Sequence, residues 1–228
     1  MSRADLARLI SAGPLLMDFD GPICSVFAGY PAPRVATELV KLLVGLDIEV
    51  PAEVRGEPDP MEVLRWAGEQ CSPKVVTAVE DALCEAELRA VAVASPTPFG
   101  HELIANAHAR GLPVAIVSNN SVPAVEAYLA AHELTSLVAP IVGRAYADPA
   151  RMKPHPGPIR DAVRILGASH AYCTLVGDSL TDIEAAQAAG VGVVGYANRS
   201  WKVDAFSAAD AVVTSMQDLA EILLSNGT

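Results

Sequence analysis

Short apolar runs alternating with helix-like segments limit this 228-residue chain more than any other feature. The runs are Leu15–Met17, Val114–Val117, Val138–Val142, Cys173–Val176 and Val191–Val194, with a weaker one at Ala211–Thr214. Pro140 weakens the third, because proline donates no ladder hydrogen bond. Helical patterns cover about 121–133, 157–166, 179–189 and 217–225. Continuously apolar strands separated by helices predict an α/β protein: a Rossmann-like parallel sheet with helices on both faces.

Residues 32–94 break that rhythm. Arg34–Leu46 carries Val35, Leu39, Leu42, Leu43 and Leu46 on one side. A second helix opens at Asp59 and Pro60, with Glu62 at an acidic third position. A third opens at Ser72–Pro73 and runs to about Ala94. Proline-containing linkers, GYPAP and SPTPF, flank the block. The expected organisation is a discontinuous core of residues 1–22 and 95–228, with an inserted all-helical cap domain at 23–94. Residues 1–13 read as a short amphipathic helix, without the long apolar stretch of a signal peptide.

Composition excludes several classes. Hydrophobic residues make up 51% of the chain and charged ones 19%, ample for a buried core. Acidic residues outnumber basic ones 27 to 16, for a net charge of −11. A nucleic-acid partner is therefore not expected, since phosphate binding calls for a basic face. No run of 18 apolar residues suggests a membrane span. Cys24, Cys71, Cys84 and Cys173 form no C-x-x-C pair and read as reduced thiols of a cytoplasmic protein.

Four polar clusters carry the candidate chemistry. In LLMDFDGP, Asp18 and Asp20 directly follow an apolar strand, and side chains two apart on extended chain share a face. One carboxylate is then placed to attack while the other handles protons, although Asp, Gly and Pro also suit a plain turn. In VAIVSNN, Ser118 and Asn119 end another strand, where a hydroxyl and backbone N–H groups can hold phosphate oxygens, or simply cap a helix. Lys153 lies in the proline-stiffened ARMKPHPGP loop, where it is either a charge partner or a solvated lysine. In LVGDSLTD, Asp178 is a candidate metal ligand. Asp182 either supports the site, through a metal-bound water or Lys153, or completes a capping box with Ser179. Ligands in open parallel sheets bind beyond the carboxyl ends of the strands, so one rim can gather all four clusters.

Together these clusters resemble the four motifs of the haloacid dehalogenase-like hydrolase superfamily. Asp18-Phe19-Asp20-Gly21 matches the first, Ser118-Asn119 the second, Lys153 the third, and Gly177-Asp178 through Asp182 the fourth. The string KPHP is similar to the third-motif loop of the phosphoglycolate phosphatase-like branch. The resemblance spans residues 14 to about 195 and implies a mobile helical cap after the first motif. Pro22 departs from the usual Thr or Val and removes one backbone donor.

By that resemblance Asp18 is the nucleophile, Asp20 the general acid and base, and Lys153 the charge-balancing cation. Ser118, Asn119 and Gly21 hold the substrate phosphate. Asp18, Asp178 and the backbone carbonyl of Asp20 bind Mg²⁺, with Asp182 in support. The implied activity is Mg²⁺-dependent hydrolysis of a small phosphorylated metabolite through an aspartyl-phosphate, by a monomer or homodimer. A phosphosugar mutase would use the same clusters, and a binding protein could retain the fold without turnover. A dehalogenase is disfavoured, because that branch lacks a counterpart of Asp20. His155 is read mainly as a solvated loop residue. Cys24, Phe27, Tyr30, Arg34, Arg55 and Trp66 are candidate pocket residues that packing explains equally well.

Overall fold

The computed structural model describes residues 2–225. Six parallel strands form the central sheet: β1 (Leu15–Met17), β4 (Val114–Val117), β5 (Ile141–Val142), β6 (Thr174–Gly177), β7 (Gly192–Tyr196) and β8 (Ala211–Val213). Their spatial order is β5-β4-β1-β6-β7-β8. Leu15 pairs with both Val114 and Thr174, so β1 lies at the middle, with β4 and β6 on its two sides. The chain proceeds outward in opposite directions from β1, which opens a crevice at the carboxyl ends beside it.

The two-residue period of a strand divides the core. Leu15 and Met17 point to one face, where they join Ile116, Val176 and Val194. That face is covered by α1 (Arg3–Ser11), α6 (Gly100–Ala109), α7 (Val122–Ala131) and α11 (Met216–Ser225). Leu16 points to the other face, with Ala115, Val117, Leu175 and Val193. There α8 (Gly157–Ile165) and α9 (Leu180–Ala189) close the layer. Capping boxes fix two helix starts, Ser2 with Asp5 on α1 and Ser179 with Asp182 on α9.

Between β1 and β4 the chain departs from the sheet. β2 (Cys24–Ser25) and β3 (Ser95–Pro96) pair antiparallel and bring the two linkers together. Between them lie α2 (Ala32–Gly45), α3 (Ala52–Arg55), α4 (Pro60–Gln70) and α5 (Pro73–Val91). Val35, Leu39, Leu43, Val63, Leu64, Val79 and Leu83 form an apolar cluster of their own, joined by Met152 from the core. Asp59 caps α4 by accepting from the Met61 N–H, and Pro60 occupies the first turn. α5 also packs against α7.

The strand expected at 138–142 shortens to Ile141–Val142. Ala139 N–H still donates to Val114 O, and Pro140 O accepts from Ile116 N–H, so the segment pairs irregularly. Five strands and helices had no sequence expectation: the paired β2 and β3, α3, α6 and α10 (Ser200–Ala205). Among the described residues, no helix is long and apolar enough to cross a membrane. None of the four cysteines is disulfide-bonded.

Candidate active site

The carboxyl ends of β1, β4 and β6 converge on a cavity of about 520 Å³ walled on its far side by α4. Asp18, Asp20, Ser118, Asn119, Lys153 and Asp178 all line it. Asp18 continues the ladder of β1 by donating its N–H to Val176 O at 2.9 Å. Ser118 does the same for β4, donating to Val142 O at 3.0 Å. The sheet therefore fixes the backbone of both residues before their side chains act.

Lys153 is the electrostatic centre. Its side chain is only 2% exposed. Nζ donates to Asp18 Oδ1 at 2.8 Å, Asp182 Oδ1 at 2.5 Å and Val117 O at 2.8 Å. Burial opposes its charge, but the two carboxylates outweigh burial and raise its pKa. A solvated lysine is thus ruled out.

Asp182 is saturated. Oδ1 serves Lys153, while Oδ2 accepts from Ser179 Oγ and from the N–H groups of Asp178 and Ser179. The helix cap and the lysine anchor are one arrangement. Gly177 leaves room for it, because a Cβ there would lie 2.4 Å from Asp182 Cβ.

Asp178 is held by partners absent from the sequence expectations. Its Oδ2 accepts from Lys202 Nζ at 2.7 Å and Asn198 Nδ2 at 2.9 Å, both beyond β7. Burial raises its pKa and Lys202 offsets part of that rise. Oδ1 of Asp178 and Oδ2 of Asp18 carry no hydrogen bond among the described residues. Carboxylate oxygens of Asp18, Asp178 and Asp182 lie within 4.8 Å of one another, but Asp182 has none to spare.

Asp20 turns from the strand toward the insert, where Oδ1 accepts from Val26 N–H at 2.9 Å. Burial lifts its pKa to about 7, with the charges of Asp178 and of Asp59 on α4 adding to the rise. Burial likewise raises Asp18, with Asp182 adding and Lys153 opposing.

Gly21 supplies space rather than a donor to the cavity. Its φ is +109° and a Cβ would fall 2.3 Å from Asp178 Cγ. Its N–H is already given to Cys24 O at 2.7 Å. Asn119 spends its amide on the Lys153 loop: Oδ1 accepts from Lys153 N–H at 2.8 Å and Nδ2 donates to Lys153 O at 3.2 Å. Its backbone N–H has no acceptor among the described residues and remains available at the rim.

Of the other candidates, only Phe27 lines the cavity. Tyr30 and Arg34 both bond Glu38 on α2, Arg55 caps Val50 O, Trp66 packs in the insert, and Cys24 is buried in the core. His155 is exposed and accepts from Gly157 N–H. The insert instead contributes Asp59, Met61, Glu62 and Arg65 to the wall. Arg65 Nη2 donates to Lys153 O, tying α4 to the lysine loop.

The chain is similar to several known proteins. A phosphoglycolate phosphatase from Pectobacterium atrosepticum is 28% identical over 230 residues, covering 96% of this chain and 95% of that protein. One from Escherichia coli K12 is 32% identical over 117 residues, covering 50% of this chain and 46% of that protein. The structure of CbbY from Rhodobacter sphaeroides in complex with phosphate superposes with a TM-score of 0.67, at 20% identity, covering 90% of this chain and 95% of that one. A sequence model described as haloacid dehalogenase-like hydrolase matches residues 56–196. With that match and this rim of side chains, the chain belongs to the haloacid dehalogenase-like hydrolases, on the phosphoglycolate phosphatase-like branch.

Proposed function

We propose that this enzyme hydrolyses a small-molecule phosphate monoester through a phosphoryl group carried on Asp18. The observation that supports this most is the Lys153 bridge. One buried ammonium spans Asp18 and Asp182 at the rim where Ser118, Asp20 and Asp178 also face the cavity.

The residues present fit Mg²⁺. It takes oxygen ligands, commonly one or two carboxylates with waters and phosphate. Asp18 Oδ2, Asp178 Oδ1 and the backbone carbonyl of Asp20 have no hydrogen bond among the described residues and would hold it. When bound, the ion offsets the charge of a phosphate approaching two carboxylates, a repulsion of about 4 kcal/mol per unit pair at 4 Å and an effective dielectric near 20.

The chain's own groups do the rest. Ser118 Oγ, turning its proton away from Asn120 Oδ1, and the N–H of Asn119 hold phosphate oxygens, and Lys153 neutralises charge beside Asp18. The Asp18 carboxylate attacks phosphorus in line, through the oxygen that does not hold the ion. Asp20, near pKa 7, carries a proton in a useful fraction of molecules and gives it to the leaving oxygen. The resulting carboxylate then takes a proton from the water that releases phosphate. An unperturbed aspartate, near pKa 3.9, would be protonated about once in a thousand at pH 7.

Residues 23–94 act as the cap over this site and 1–22 with 95–228 as the catalytic core. A cavity of this size admits a small phosphorylated metabolite, and phosphoglycolate, named in the relatives, is the first to assay. The test is Asp18→Asn, with phosphate release from a panel of phosphorylated metabolites measured with Mg²⁺ and with chelator. The variant should fold as the wild type does and release no phosphate; undiminished release would overturn the reading.

A further inference from the structure

Away from the reacting groups, the insert meets the core in a buried charged cluster that the mechanism above does not use. Arg144, just beyond β5, has a side chain with 0% exposure. Its Nη2 lies 2.7 Å from Glu80 Oε1 and its Nη1 lies 2.8 Å from Glu87 Oε1, both glutamates on α5. These glutamate side chains are 1% and 0% exposed. The same Nη1 donates to Asn119 O at 2.7 Å. Glu87 also accepts from Asn120 Nδ2 at 3.1 Å and Ser121 N–H at 3.0 Å.

Stability is a weak reason for such a cluster. Desolvating three charges costs so much that apolar replacement of a buried ion triad is often neutral or stabilising. What the planar guanidinium supplies is geometry, since its fixed fork of donors joins acceptors on separate elements. The element it fixes is the segment directly after Ser118. Arg144 holds the Asn119 carbonyl, the Asn119 amide holds both polar groups of the Lys153 backbone, and Lys153 Nζ holds Asp18. An unbroken series of hydrogen bonds thus runs from α5 to the Asp18 carboxylate.

We infer that Arg144 is a positioning residue through which α5 of the insert sets the geometry of the phosphate-holding segment and the Lys153 loop. α5 is then part of the scaffold of the site as well as part of its cover. The inference rests on the phosphatase reading for its catalytic consequence, but its structural half stands apart. A misplacement of about 1 Å in a reacting constellation costs on the order of 100-fold in rate.

The test is the triple variant Arg144→Met, Glu80→Gln, Glu87→Gln, which removes the cluster without stranding a charge. Thermal unfolding, kcat/KM for p-nitrophenyl phosphate with Mg²⁺, and amide exchange at Asn119–Ser121 and Lys153 are compared with wild type. Leu83→Ala, in the apolar cluster of the insert, is the control for mere loosening of α5. The expected result is a folded triple variant with kcat/KM reduced about 10- to 100-fold and faster exchange at those amides. Leu83→Ala should unfold at lower temperature yet keep both values. Unchanged exchange and kcat/KM in the triple variant overturn the inference, as does an equal loss of kcat/KM in Leu83→Ala. If the triple variant does not fold, Glu87→Gln is judged by the same two readouts. If wild type hydrolyses no phosphate ester, the functional reading fails and exchange alone decides the positioning role.

Discussion

Replacing Lys153 with methionine is the most informative single perturbation of the site. The change preserves the length of the stem but strands Asp18 and Asp182, which now face each other across the space the ammonium filled. Removing one member of a buried ion pair costs about 3–5 kcal/mol. For a chain of this size each kcal/mol lowers Tm by about 2–4 °C, so a fall of about 6–20 °C is expected. Asp182→Asn in the same background removes one of the stranded charges. The double variant should therefore be more stable than the sum of the two single changes predicts, by about 1–3 kcal/mol. Urea denaturation of the four proteins at pH 7.5 in chelator measures this coupling. Additivity within about 0.5 kcal/mol would refute the claim that one lysine holds both carboxylates. In the presence of Mg²⁺, Lys153→Met should also lower kcat about 10²- to 10³-fold, the usual cost of losing one transition-state charge partner.

Three further outcomes follow from the same geometry. Asp20 has a folded pKa near 7 against about 3.9 unfolded, so between those values the folded chain binds the extra proton. The stability this contributes is greatest at acidic pH and is lost as pH rises through 7. Metal-free Tm should therefore fall between pH 5 and 8, and Mg²⁺ should restore it mainly at pH 8; scanning calorimetry at both values, with and without the ion, checks this. Asp20→Asn should hydrolyse alkyl phosphates far more poorly than aryl phosphates, whose leaving groups need no proton, so the ratio of the two kcat/KM values should rise. Gly21→Ala should lose Mg²⁺ affinity at least about tenfold by calorimetric titration, because its Cβ would displace the Asp178 carboxyl and its φ is strained.

Much of this was legible in the residues. The unbroken apolar runs Leu15–Met17 and Val114–Val117, buried on both faces, place those strands in the sheet interior, and Asp59-Pro60 marks the start of α4 to the residue. The burial of Lys153 was not legible, because it depends on how the 149–156 loop docks under α4, a tertiary fact that no local pattern encodes. Asn119 shows the same limit: its amide is used to hold a loop 34 residues away. Arg144 and Lys202 were missed, yet a signal for both existed. Arg144 lies two residues past the carboxyl end of β5, the same rule that located Asp18, Ser118 and Asp178, while Lys202 lies within α10, in the segment that follows the carboxyl end of β7. Glu80 and Glu87 are seven apart beside the apolar stripe of α5, so two charges on a buried-looking face asked for a buried cation.

In the proposed reaction Asp18 becomes covalently phosphorylated during turnover. Acid quench of the enzyme mixing with excess aryl phosphate and Mg²⁺, followed by peptide mass spectrometry, reads this directly. One phosphoryl group is expected on Asp18, removed by hydroxylamine and accumulating further in Asp20→Asn. A phosphoryl group on any other residue, or steady turnover with Asp18 never modified, would contradict it.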